Sequence, residues 1–377
     1  MKHKTLKVMT ILGTRPEIIR LSRVMAILDK VTEHVTVHTG QNYDYELNEV
    51  FYKDLEIKKP NYYLEANNSS LGAMIGSIIT ASEKVMLKEK PDAVLILGDT
   101  NSSMAGIMAR RLKIPLFHME AGNRCFDLNV PEETNRRIID HVSDINLVYT
   151  EHARRNLLRE GLHPRKIYLT GSPMKEVLEY YLPKIKKSLI LKQLKLNEGK
   201  YFLVSTHREE NVDNPQNLKK IVNILNAIAQ EHSLPIIVST HPRTAKRLET
   251  LKNIKLSNKI SFLKPFGFFD YVKLQMSARC VISDSGTISE ESSILNSPAI
   301  TIRNSIERPE SMDTGSIIVT GLDENTVLDS IKTVIALNNS QTPEDYKINN
   351  TAQRVAKLII GTARLIHKWD GVIVQGR

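Results

Sequence analysis

Three acids, Asp99, Glu120 and Glu132, stand where a protein keeps groups that move protons. Two apolar runs, DAVLILG and PLFHME, end on Asp99 and Glu120, and Glu132 follows in a short loop that opens a new helix. Parallel strands meet their ligands at their carboxyl ends, so acids at these ends face a crevice rather than a core. Carboxylates sharing a crevice can remove one proton and return another, which is general acid–base chemistry. Each acid also has a plainer explanation. Asp99 has the position of a cap for a helix starting at Asn101, and Glu132 with Glu133 fits a helical first turn behind Pro131. Glu120 is harder to dismiss, because its strand ends there and Ala-Gly follows.

Cationic and polar groups accompany the acids. In Gly13-Thr14-Arg15-Pro16-Glu17, a strand-to-helix turn, the helix-start N–H groups and the Arg15 guanidinium are suited to an anion. Pro16 and Glu17 read as parts of the turn itself, whereas the turn has no need of Arg15. Arg20 lies near the same helix mouth as a second cation. His207 and Arg208 end the run YFLVST, where a histidine can donate to a phosphate or a leaving-group oxygen. His241 repeats that placement after PIIVST. In Asp284-Ser285-Gly286-Thr287, the turn after CVISD, Ser285 and Gly286 point amides at a diphosphate, while Thr287 and Glu290 have capping-box spacing. Glu291, one turn further on, is placed to accept from ribose hydroxyls, and Tyr271 in KPFGFFDYVKL offers a ring for a base or for the core.

These residues need a scaffold of strand ends, and the hydropathy pattern supplies one. TLKVMTIL, HVTVHTG, DAVLILG, PLFHME, INLVYT and KIYLTG alternate with amphipathic stretches such as EIIRLSRVMAILD, where Ile18, Leu21, Met25 and Leu28 recur at helical spacing. A second series, YFLVST, PIIVST, ISFLKP, CVISD, PAITIR and SIIVTG, follows a Lys-rich stretch. Such alternation predicts two doubly wound parallel α/β domains, residues 1–172 and 173–350, with a closing helical segment over 351–377 that packs back on the first. The domains are expected to turn their strand ends toward a shared cleft.

Composition narrows the function classes. Hydrophobic residues make up 41% and charged residues 25%, as in ordinary globular proteins, and no apolar run has transmembrane length. The two cysteines, Cys125 and Cys280, outline neither a disulfide framework nor a zinc site, which fits a cytoplasmic protein. A net charge of +10 suits a phosphorylated ligand, and without a basic run interleaved with aromatics no nucleic-acid partner is expected. No G-x-G-x-x-G follows a strand, so a dinucleotide cofactor is not supported, and no metal-binding motif is present.

Together, GTRPE, GDT, HMEAGNR, PEETNRR, THREEN, SDSGTISEE and IERPE resemble, in order and over essentially the whole chain, the non-hydrolysing UDP-N-acetylglucosamine 2-epimerases. The resemblance implies two Rossmann-like domains in the glycosyltransferase-B architecture, a homodimer, no cofactor, and inversion at C2 of a UDP-linked 2-acetamido sugar. It makes Asp99, Glu120 and Glu132 the acid/base carboxylates and sets His207 beside the diphosphate. It makes Arg15, Arg20, Ser285, Gly286 and Glu291 substrate-binding residues, and Thr287, Tyr271, His241 and Arg308 join them as binding candidates. Arg20 stands where the family has lysine, and Thr287 where it has glycine. The family's T-G-Q-H stretch is Thr39-Gly40-Gln41-Asn42-Tyr43 here, without the histidine that helps bind an activating UDP sugar in bacterial members. GTRPEIIRLSRVM with HTGQNYDYELNEVF looks most like enzymes that convert UDP-2-acetamido-2,6-dideoxy-L-talose to UDP-N-acetyl-L-fucosamine for capsule or O-antigen synthesis. That is the expected substrate, with UDP-N-acetylglucosamine as the alternative. Rival readings are a glycosyltransferase, a hydrolysing epimerase and a non-catalytic nucleotide-sugar binder.

Overall fold

The computed structural model describes residues 5–40, 51–249, 256–337 and 341–373. The chain divides into two compact units. The first comprises Met1–Arg124, Val130–Glu179 and Ile348–Arg377; the second comprises Cys125–Asn129 and Tyr180–Lys347. The helix Met174–Lys187 runs across the division. The closing helix Thr351–Thr362 belongs to the first unit, where Thr351 Oγ1 donates to the carbonyls of Thr170 and Ser172 at 3.0 and 3.1 Å.

In the first unit seven parallel strands run in the order β3-β2-β1-β4-β5-β6-β7. They are β1 (Lys7–Leu12), β2 (Glu33–His38), β3 (Tyr62–Tyr63), β4 (Ala93–Leu97), β5 (Leu116–Ala121), β6 (Ile145–Val148) and β7 (Ile167–Leu169). β4, AVLIL, is buried at every position, because helices cover both faces of a parallel sheet and no face is left for polar residues. The helix Arg15–Val31 returns the chain to that sheet through one apolar stripe: Ile18, Leu21, Met25 and Leu28 are all buried. The order of strands reverses between β1 and β4, which opens a crevice at their carboxyl ends.

The second unit repeats the plan with six parallel strands in the order β10-β9-β8-β11-β12-β13. These are β8 (Phe202–Thr206), β9 (Ile236–Thr240), β10 (Ile260–Leu263), β11 (Cys280–Ser283), β12 (Ala299–Thr301) and β13 (Ile318–Val319). Its apolar core gathers Phe202, Val204, Val238 and Ile282 from the sheet against Ile221, Leu225 and Ile228 of the helix Pro215–His232. Here the reversal falls between β8 and β11. Cys125 and Cys280 are both free and buried. Among the described residues, no helix is long and apolar enough to cross a membrane.

Candidate active site

In the first unit the carboxyl ends of β1, β4 and β5 bring the acids onto one rim. Gly98, at φ +74°, turns the chain out of β4, and a side chain there would meet Glu120 Oε2 at 3.4 Å. The Asp99 turn and the Glu120 carboxylate are therefore neighbours across the β4–β5 pair. Glu120 itself has φ +67°, and the register of β5 against β6 shifts between Met119 and Ala121. A left-handed backbone is costly for a residue with a Cβ, and such strain gathers where a side chain must be aimed. Asp99 is not the cap of the turn that follows. Thr100 is, accepting from Ser102 N, so the capping explanation of Asp99 falls away.

Each of these two acids is held by a buried arginine. Arg20 pairs with Glu120 through Nη1 and lies under the Tyr149 ring, 6.0 Å from its centroid. Arg136 donates from Nε and Nη2 to Asp99 Oδ2 at 2.9 and 2.6 Å. Asn135 adds a donor to the Asp99 carbonyl at 2.9 Å. Both residues lie on the helix Pro131–Val142, whose first turn carries Glu132, so one helix both supplies the third acid and grips the first. Arg15 lies over the Phe51 ring, 5.9 Å from its centroid.

The expectation that the first helix offers its N–H groups to an anion is corrected by the structure. Gly13 N and Thr14 N donate to Glu17 Oε2 at 2.5 and 3.1 Å, so a resident carboxylate already occupies that position. Thr100 Oγ1 donates to the other oxygen at 2.5 Å. Burial is the main cause that pushes the Glu17 carboxyl up to about 7; these three donors oppose the rise and the charge of Asp99 adds to it. Glu17 thereby closes a capping box with Thr14, in keeping with the turn role its position suggests.

Behind the rim lies a support that the motifs did not expose. His118, two residues before Glu120, donates from Nε2 to the Gly98 carbonyl at 2.9 Å, while its Nδ1 faces Asp140 at 2.9 Å. Asp140 also accepts from Gly122 N at 3.2 Å and from Arg124 Nη1 at 2.7 Å. This fully buried carboxylate therefore fixes the backbone just before Asp99 and just after Glu120. A signal existed in HMEAGNR, where polar residues interrupt a buried strand, but nothing in it names their partner.

In the second unit the site gathers at the ends of β8 and β11. Asp284, buried at the end of β11, accepts from His207 N, Arg208 N and Asn211 Nδ2 at 3.0–3.1 Å, and His207 Nδ1 lies 3.3 Å from it. The His207 side chain keeps 44% of its surface exposed, so it is oriented from behind and open in front. The Ser285 amide donates to Ser283 Oγ at 3.0 Å, and the Thr287 amide donates to Ser285 Oγ at 3.3 Å. Within this turn the Gly286 N–H, with no partner among the described residues, is the amide that remains for an anion. The capping box expected at Thr287 and Glu290 does not form. Thr287 has helical backbone angles and no side-chain cap bond, and Glu290 instead faces Arg308 Nη1 at 3.2 Å.

Arg308, expected to touch substrate, is buried and donates from Nε to the Gly286 carbonyl at 2.8 Å, which shapes the turn from beneath. Arg208 and Arg303 are the cations beside Gly286: a Cβ there would lie 3.6 Å from Arg208 Nη2 and 3.8 Å from Arg303 Nη1. Glu307 pairs with Arg303 through both oxygens, at 2.5 and 2.9 Å. Glu291 accepts from Gln275 Nε2 at 2.7 Å, and burial pushes the Tyr271 phenol up in the same cluster. His241 follows β9 on the exposed side. The Gln41–Tyr45 run lies outside the described residues.

Residues 27–360 match the family model described as UDP-N-acetylglucosamine 2-epimerase. The chain is 37% identical over 364 residues to the UDP-N-acetylglucosamine 2-epimerase of Methanocaldococcus jannaschii, covering 94% of this chain and 99% of that one. The solved structure of UDP-N-acetylglucosamine 2-epimerase from Rickettsia bellii superposes with a TM-score of 0.91 at 49% identity, covering 97% of this chain and 98% of that one. The Methanocaldococcus jannaschii enzyme solved with UDP-GlcNAc and UDP gives a TM-score of 0.88 at 35% identity, covering 94% and 100% of the two chains.

Proposed function

Because the chain belongs to the UDP-N-acetylglucosamine 2-epimerase family, we propose that this UDP-sugar 2-epimerase interconverts UDP-N-acetylglucosamine and UDP-N-acetylmannosamine. The motifs around GTRPE favour the L-talo sugar, but the relatives described above carry the UDP-N-acetylglucosamine name and so favour the D-gluco substrate. The observation that carries the reading is the pairing of Asp99 with Arg136 and of Glu120 with Arg20 at adjacent strand ends.

The chemistry requires such an arrangement. The C2 proton of a 2-acetamido sugar is not next to a carbonyl, so direct removal leaves an unstabilised carbanion. Departure of UDP from C1 gives that carbon oxocarbenium character and acidifies C2–H. One carboxylate takes the proton, leaving a 2-acetamidoglycal and UDP; a second returns a proton to the opposite face as the UDP oxygen re-forms the C1 bond. His207, Arg208 and the Gly286 N–H stabilise charge on the departing diphosphate, and Glu291 accepts from the ribose. The acids need different proton loads, and Arg136 beside Asp99 and Arg20 beside Glu120 give each acid a cation to pair with its ionised form.

Turnover in D2O tests this. Deuterium enters C2 of both epimers, and an 18O label bridging C1 and phosphorus scrambles into the non-bridging positions. Release of free sugar, or inversion with the label in place, refutes it. Running the L-talo sugar in parallel decides the substrate. The resemblance also proposes a homodimer, to be checked by sedimentation.

A further inference from the structure

Glu17 is a buried titratable group that the mechanism leaves unused, and its bonds run toward that mechanism. Its Oε2 accepts from Gly13 N and Thr14 N at the head of the first helix, and its Oε1 accepts from Thr100 Oγ1, the residue next to Asp99. Thr100 Oγ1 in turn accepts from Ser102 N at 3.3 Å, which closes the turn after Asp99. We infer that Glu17 is a positioning residue for Asp99, tying the first helix to the Asp99 turn through Thr100 rather than serving the diphosphate. The inference rests on the epimerase reading above.

All three bonds use the ionised carboxylate as acceptor. A proton on Oε1 sets donor against donor at Thr100, so the hydroxyl must turn and the Asp99 turn loosens. The titratable groups that face Glu17 are Asp99, from the β4 turn, and the Tyr52 phenol. With its carboxyl raised to about 7 by burial, Glu17 holds Thr100 above neutrality and releases it below.

The test compares wild type with Glu17→Gln from acid to alkaline pH, using UDP-N-acetylglucosamine and C2 deuterium incorporation as readout. Gln puts an amide donor where the acid form has its proton, so the variant is fixed in the low-pH state. Its kcat falls about tenfold on the alkaline side, the worth of one charge-assisted bond, while KM stays within about twofold. On the acid side the two enzymes converge. A ratio that is constant with pH overturns the inference by reducing Glu17 to a structural part. A clear fall in KM also overturns it, since that would show Glu17 merely blocking amides from the diphosphate. Thr100→Val breaks the same bond from the other end and gives the same alkaline loss, which Thr100→Ser restores; wild-type kcat in Thr100→Val likewise overturns it. Wild type that places no deuterium at C2 of UDP-N-acetylglucosamine sinks that substrate reading instead, and the same comparison run on the L-talo sugar then decides the role of Glu17.

Discussion

Replacing Arg136 by Met removes both nitrogen donors from Asp99 Oδ2. In the native pair the arginine side chain is 5% exposed and the aspartate 24%, with contacts of 2.6 and 2.9 Å. Deleting one partner of a buried pair costs about 3–5 kcal/mol, and the remaining solvent contact of Asp99 places this pair near 3. Protonating Asp99 relieves that cost, and one pH unit corresponds to about 1.4 kcal/mol, so the acid limb of kcat moves by about two pH units. The direction follows from the chemistry. In the direction of turnover in which Asp99 takes the proton it works ionised, and without its cation it holds its proton to higher pH, so activity in that direction is lost first at low pH. The substitution also takes the Arg136 Nη1 donor, at 3.2 Å, from the buried Glu133 Oε2, while Glu133 Oε1 keeps its two bonds from Arg137, at 3.1 and 2.9 Å. The assay is kcat and kcat/KM for UDP-N-acetylglucosamine across the pH range in wild type, Arg136→Met and Arg136→Lys. Lysine keeps the charge without the fork and returns the limb to within about half a pH unit of wild type. An acid limb that stays in place, or moves down, in Arg136→Met refutes the reasoning; a uniform drop at every pH shows that Arg136 holds geometry alone.

Arg20→Met removes the cation beside the Glu120 carboxylate and lowers kcat about 100-fold, whereas Arg20→Lys stays within about tenfold of wild type; equal losses in steady-state assays would contradict a charge role. Gly122→Ala puts a Cβ 2.4 Å from the Ala153 carbonyl oxygen at φ +81°. Left-handed strain of about 1–2 kcal/mol and crowding of about 1–3 kcal/mol lower the urea midpoint of the first unit, and Glu120 moves with it, so activity falls as well. A wild-type midpoint would count against the backbone account of the β5 end. Glu17, raised from 4.5 to about 7 by burial, favours the folded state below pH 4.5, and that advantage is lost as pH rises through about 7. The loss is about 3 kcal/mol, so wild type weakens relative to Glu17→Gln across that window; a difference in urea midpoints that does not change with pH contradicts it.

What the sequence determined is what local order can carry. Alternating apolar runs and helical stripes specify two parallel sheets, because a strand buried on both faces has to be continuously apolar and a covering helix has to keep one stripe. Once the strands are parallel, residues that end them lie on the ligand side, so Asp99, Glu120, His207 and Ser285 were legible as site candidates before any contact was known. The tertiary structure decided which groups hold them. Arg136 finds Asp99 from 37 positions away and Arg20 finds Glu120 from 100, separations at which no spacing rule operates. The two helix starts differ in origin. At the first, Thr14 and Glu17 close a local capping box that takes the amides offered to a ligand, a turn role the sequence spacing already allowed; at the second, Glu290 faces the buried Arg308 instead of capping, which no spacing announces. Periodicity assigns a residue to a face; which neighbours share that face, and so how its charge is compensated, depends on how the strands are ordered in space.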